Sequence, residues 1–353
     1  MTVQVKQGSA GRIVGYVAAA WALLVLATPA VAHNINPVER PDVGSWATRY
    51  LASKISEPVH ETMTMLAYDC HARPQECQGS PEQFDRIRDG KRLAFLVTGV
   101  EWNDDPSLML LGDVADIAKW RKWMLDAEDK AKCQDRYAPA PCVGVEVSDD
   151  LLYRSHYGDL QFLHAMASSE TESAQETRRK MLAWAKFTYQ VAVRQIDPKT
   201  TLAQLPDIDA LIQRPGWNVH YLFARNVDRS ASIRKIAIGS LLHLIQDSYS
   251  DAHAARINGC EALSHDKGAI LNFRLYKFQN PDEHKEADIR PTWLDKGDLS
   301  DRNPVWASAR VLNHWIDGDD WDTVVEPFLR NEIWPLANEF AIADAGDIEC
   351  FAG

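Results

Sequence analysis

Strand-like alternation of apolar and polar residues is nearly missing from this 353-residue chain, which argues against a sandwich or barrel of short strands. No internal repeat and no low-complexity tract occurs, so repeat arrays and disordered linkers are also disfavoured. Cys-x-x-Cys is absent, which removes the usual signature of a cysteine zinc site. Positive charge is in deficit: 38 Lys and Arg against 50 Asp and Glu leave a net charge of −12. A phosphate backbone rewards clustered cations, so the bare chain is a poor default binder of nucleic acid. Bound divalent ions could reverse that sign locally. Beyond residue 32, no apolar run approaches the ~20 residues that a bilayer demands.

What is present begins with an export signal. Lys6 and Arg12 precede the apolar run "IVGYVAAAWALLVLA", and "AVA" at 30–32 offers small residues for cleavage after Ala32. Residues 1–32 therefore read as a signal peptide, and the mature protein is expected in the periplasm or secreted. Six cysteines suit an oxidising compartment. Cys70 and Cys77 are close in sequence, as are Cys133 and Cys142, which leaves Cys260 and Cys350 for each other; the connectivity stays open from sequence.

The whole chain is 46% hydrophobic, enough for a sizeable core. Apolar residues recur at helical spacing over 59–69, 83–100, 108–132, 173–195, 230–249, 304–316 and 320–344. Ser and Thr before 173, and Ser230, offer N-caps, and Pro304 suits a first helical turn. Stretches 71–82, 133–150, 197–218 and 256–282 read as loops, rich in Pro, Asp or Gly. The expectation is one all-α, multi-helix domain over 33–353 that is monomeric, with an insertion around 107–155 carrying Cys133 and Cys142.

One apolar segment carries chemistry that a core helix does not need. In "SLLHLIQDSYSDAHAAR", residues 240–256, His243 and Asp247 stand four apart, about 40° round a helix from each other. They project together and could hold one ion. If the helix persists, His253 lies roughly 15 Å further along the axis, too far to share that ion but able to serve a neighbour. Buried ionisable groups are costly unless paired or metal-bound, so the set points to two or more ions. A lone histidine on an apolar face is more often a satisfied core residue. Several further groups strengthen the set: His60 at the start of "VHETMTMLAY", Asp104 and Asp105 after Trp102 in "EWNDD", His156 and His164 in "SHYGDLQFLH", and His284 with Asp288 in "EHKEADIR".

The order His, Asp at +4, His at +10 after an apolar helix resembles the core motif of the zinc-dependent phospholipase C and single-strand-specific (S1-P1-type) nuclease superfamily. The resemblance spans roughly 55–290 and implies an all-helical fold around three zinc ions that cleave phosphate esters. It implies His60 as the early helix ligand and Asp104 as the aspartate after an aromatic residue, with Asp105 the fallback. It implies His164 as the ligand before the "LAWAKFTYQVA" helix, with His156 the competitor, and His284 with Asp288 as the final pair. This chain departs from the pattern in three ways. Nucleases of the family have Gly-Asp and Gln-Pro in the core motif, where this chain has "QDSYSDAH". The gap after Asp104 is long. The family's mature N-terminal Trp ligates a zinc ion, whereas cleavage after Ala32 exposes His33, with Trp46 nearer the expected distance.

The implied activity is metal-assisted hydrolysis of a phosphodiester, with Asp104 orienting or deprotonating the attacking water. His164, His243 and Asp247 are expected on one ion, His253, His284 and Asp288 on a second, and His60 with Asp247 on a third. The acidic balance and the missing Gln-Pro favour a phospholipid head group as substrate. Single-stranded nucleic acid is the alternative, stacked on some of the 12 tryptophans. A reading of another class is a binding protein whose metals only stabilise it.

Overall fold

A computed structural model describes residues 59–73, 93–106, 119–120, 122–124, 126, 149–224, 232–257, 268–276, 279, 284, 287 and 303–344. The signal segment, His33, Trp46, Asp288 and every cysteine except Cys70 lie outside the described residues. The described chain is mostly helical with one small two-stranded sheet. No described helix is long and apolar enough to cross a membrane.

The main helices are α1 (Val59–Ala72), α2 (Ala94–Glu101), α3 (Leu151–Tyr157), α4 (Ala174–Ala192), α5 (Pro206–Ile212), α6 (Val219–Ala224), α7 (Ile233–Asp247) and α8 (Pro304–Asp317). Their ends follow local chemistry. Ser173 caps α4 by accepting from the Glu176 amide, and Asn303 caps α8 ahead of Pro304. Asp150 caps α3 through the Leu152 amide, so the C-terminal edge of the expected insertion is an ordered helix.

Helix α7 is the centre of the molecule. Every residue from Ile236 to Asp247 is buried, as expected of a helix apolar all round. It packs on α2 and α4, and more narrowly on α8 and α1. Trp102, just past α2, stacks on Trp184 of α4 at 5.5 Å, and Phe223 of α6 closes the same apolar cluster. The α2–α7 crossing is close because glycines meet there: a Cβ on Gly239 would lie 2.7 Å from Gly99 Cα.

Several expected boundaries are corrected. The helix bearing His243 does not persist to His253; it ends at Asp247, and the chain turns through Ser248–His253. The expected helix over 320–344 stops at Ile333. Pro335 disfavours α geometry at Trp334, which takes φ −121° and ψ 43°. The remaining segment instead runs beside a strand, the Ile270 amide donating to Pro335 O at 2.7 Å. Helix α5 occupies part of the expected loop 197–218, begun by Pro206 with Asp207 and Asp209 in its first turn. Within 256–282 lies β2 (Ile270–Phe273), antiparallel to β1 (Ala254–Arg256). Cys70 is disulfide-bonded, its partner lying outside the described residues.

Candidate metal centre

Seven segments converge around the C-terminal end of α7. Helix α1 brings His60 near its first turn, and the turn after α2 brings Asp104. Helix α3 brings His156, and a 3-10 turn over Gln161–His164 brings His164. Helix α7 supplies His243 and Asp247, and the turn beyond it supplies His253. His284 stacks on His253 with ring centroids 5.3 Å apart. All eight side chains are buried, none more than 2% exposed as a residue, so their mutual chemistry is shielded from water.

Asp247 is the hub. Its Oδ2 lies 2.9 Å from His243 Nε2, 2.9 Å from His164 Nδ1 and 3.4 Å from His253 Nδ1. Its Oδ1 lies 3.1 Å from His60 Nε2. Asp104 faces the other side: its Oδ1 is 3.7 Å from His156 Nε2 and 3.8 Å from His164 Nδ1, and its Oδ2 is 4.0 Å from His243 Nδ1. Two ligands about 2.0–2.1 Å from one tetrahedral ion stand about 3.3 Å apart. The observed separations bracket that value. Three overlapping groups have ligand atoms within 4.8 Å of one another: His60–Asp104–His243, Asp104–His156–His164 and His164–His243–Asp247.

The surroundings aim these side chains inward. His243 Nδ1 donates to Val100 O at 2.6 Å, and His253 Nδ1 donates to His164 O at 2.6 Å. His156 Nδ1 donates to Leu152 O at 2.9 Å. A carbonyl only accepts, so each of these rings keeps its lone pair on Nε2 when neutral. The chain must turn sharply after His164 to present that carbonyl, and Ala165 takes a left-handed φ of 52° to do so. Behind Asp104, Asn103 donates to Leu163 O at 2.7 Å and accepts from Ser240 Oγ at 2.5 Å. That link ties the α2 turn, the His164 turn and α7 together.

Both Asp104 oxygens, His156 Nε2 and His164 Nε2 are buried and make no hydrogen bond. Each such group costs about 1–3 kcal/mol when left unsatisfied, so four on three neighbouring side chains fit a bound cation. A set of imidazoles with two carboxylates suits zinc better than calcium or magnesium, which prefer all-oxygen shells. The electrostatics agree. Burial pushes Asp247 up, but His243, His253, His60 and the His164 hydrogen bond together hold it well below the usual carboxylate range. Asp104 is likewise lowered against burial by His243, His156, His164 and His60. Burial lowers His164 to about 4 despite the hydrogen bond it donates to Asp247. His243 is raised, because Asp247 and Asp104 outweigh its burial.

No family model, curated protein or solved structure matches this chain. The centre is therefore read from its own geometry. His60, Asp104, His156, His164, His243, Asp247, His253 and His284 come together; Asp288 lies outside the described residues. His156 and His164 both converge with Asp104. Between the neighbouring aspartates, Asp104 is the one in these groups, although Asp105 is also buried. Asp247 also sits between His243 and His253, though through a turn rather than along a helix. Residue patterns missed the supporting groups Asn103, Gln246 and Gln279, whose neutral amides have no ligand spacing to betray them.

Proposed function

We propose that this chain is an exported zinc-dependent phosphoesterase, of phospholipase-C-like type, with the all-helical architecture of the superfamily its motif resembles. The observation that carries the proposal is the convergence of six histidines with Asp104 and Asp247 around buried polar atoms that lack hydrogen bonds.

His164, His243 and Asp247 would hold one ion, with Asp104 and His156 closing its other side. His253 and His284 would hold a second, and His60 with Asp247 a third. Bound divalent ions lower the pKa of a water towards neutrality and offset phosphoryl charge during in-line displacement. The chain's own part is to place acceptors around that reaction. Asp104 stays a carboxylate at neutral pH because the surrounding imidazoles depress its pKa. Its oxygens are poised to orient the attacking water and accept a proton from it. Val100 O, Leu152 O and His164 O hold three rings in fixed orientations, so little rearrangement is required as charge develops.

The test is turnover of bis-p-nitrophenyl phosphate by zinc-loaded and chelated protein, wild type and Asp104→Asn. Loaded wild type should hydrolyse the ester. The variant should keep its zinc and lose about 10²-fold or more in rate. Undiminished turnover in Asp104→Asn would remove that residue from the mechanism. Zinc-dependent melting without turnover would favour a binding protein. Phosphatidylcholine vesicles and single-stranded DNA then separate phospholipid from nucleic-acid substrates, and the acidic chain favours the former.

A further inference from the structure

We infer that Gln246 and Gln279 are positioning residues that decide which nitrogen His60 and His284 turn toward the metal centre. The consequence for metal binding rests on the proposed function; the tautomers themselves rest on hydrogen-bond chemistry alone.

A primary amide has one accepting end and one donating end, so its orientation dictates where a neighbouring imidazole carries its hydrogen. Gln279 Nε2 donates to Ala252 O, a carbonyl that can only accept. Its Oε1 therefore faces His284 Nδ1, which must supply the hydrogen. His284 Nε2 then carries the lone pair when the ring is neutral. On the opposite side, Gln246 directs Nε2 at Thr64 Oγ1, 3.0 Å away, and at Ser308 Oγ, 3.4 Å away. That leaves Oε1 to accept from His60 Nδ1 at 2.7 Å and turns His60 Nε2 inward, 3.1 Å from Asp247 Oδ1. The stack of His60 on His243, 4.1 Å between centroids, fixes the ring plane.

The two amides share a logic. Each is buried, and each binds its histidine from the side away from the centre. Gln246 immediately precedes Asp247, and Ala252, which orients Gln279, immediately precedes His253. One short stretch thus supplies two ligands and the orientation of two more. It also accounts for a departure in sequence: where the resembling nucleases have Gly-Asp, this chain has Gln246–Asp247, and glycine could not reach His60. A neutral acceptor fixes the tautomer without adding a negative charge to the centre.

The experiment is nitrogen NMR of histidine-labelled full mature protein, with His60 and His284 assigned through His60→Asn and His284→Asn. Zinc affinity by chelator competition is measured alongside for wild type, Gln246→Met and Gln246→Glu. In wild type, both rings should show a protonated Nδ1, and Nε2 should be the nitrogen that responds when zinc is added. Gln246→Met removes the acceptor and should weaken zinc by about 10–100-fold. Gln246→Glu keeps an acceptor, which the Thr64 and Ser308 hydroxyls can also serve by donating, and should stay within a few-fold of wild type. An unprotonated Nδ1 on either wild-type ring would overturn the assignment. So would unaltered zinc affinity in Gln246→Met, or equal losses in both variants, which would give Gln246 a packing role only. Wild type with both Nδ1 atoms protonated but no affinity for zinc would sink the functional reading and leave the positioning role standing.

Discussion

Replacing Gly239 with alanine tests whether the helix crossing sets the metal centre. A Cβ at this position would lie 2.7 Å from both the Cα and carbonyl C of Gly99, and closer still to Leu96 O. Non-bonded carbons rest about 3.5–4.0 Å apart, so α2 and α7 must part by about 1 Å. The obstacle is backbone on a packed helix, so no rotamer change relieves it. Parting the helices stretches the His243 Nδ1 bond to Val100 O, now 2.6 Å, beyond useful reach. Overpacking costs about 1–3 kcal/mol and the lost hydrogen bond about 1 kcal/mol. The better helix propensity of alanine returns about 1 kcal/mol. The balance is a destabilisation of about 1–3 kcal/mol, or a fall in Tm of about 2–5 °C for a chain of this size. Thermal melting by circular dichroism, with and without zinc, reads this directly, and the zinc-induced rise in Tm should shrink in the variant. Gly216→Ala is the control, since a Cβ there meets nothing within 4 Å. Gly239→Ala melting with wild type at full zinc affinity would refute the link between crossing and centre.

Other expectations can be checked with the same material. In chelated protein, His164 is held at about 4 against an ordinary value of 6.5, so between those values the unfolded chain binds a proton that the native state refuses. Stability should fall by about 3 kcal/mol as pH drops through that window, and denaturant melts of His164→Gln should be flatter there. The depressed Asp104 and Asp247 act only below it, and the raised His243 only above it. Saturating zinc at about 1,000 times its Kd should add about 4 kcal/mol of stability, visible as a rise in Tm that a chelator abolishes. Arg256 is buried and donates to Ser248 O at 2.7 Å, Ile333 O at 2.8 Å and Gly268 O at 3.2 Å. Arg256→Met should cost about 3 kcal/mol or more in urea melts, because it strands buried carbonyls beside the turn after Asp247; a loss under 1 kcal/mol would show that other donors replace it.

The helical class and much of the buried His/Asp cluster were legible because both rest on spacing. His243 and Asp247 stand four apart on a helix, and the structure places them 2.9 Å from each other. The roughly 15 Å placement of His253 required the helix to run beyond the 230–249 given by periodicity; it does not, and the turn brings His253 back to Asp247. The stop signal was in the residues themselves: Ser248 Oγ donates to Ile245 O, and Ser250 Oγ accepts from the Ala252 amide. Such side chains offer the backbone partners outside the helical ladder. The choice between His156 and His164 was unanswerable in the form asked, because a helix and a 3-10 turn bring both rings to Asp104. Strand β2 escaped notice because four residues buried in the pattern seen here show no clean alternation. Gln246 and Gln279 were invisible because an amide's role depends on what its two ends touch in space.

The residues around Asp247 come from positions as far apart as 60 and 284. Any ion seated among them acts as a rivet through remote stretches of the polymer, closing several long loops at once. Loop-closure entropy rises only slowly with length, so the rivet can span such distances at little extra thermodynamic cost, but it cannot form until those stretches have met. Cutting the chain into pieces, or cleaving it between α4 and α7, should therefore not leave a smaller centre with fewer partners. It should leave none.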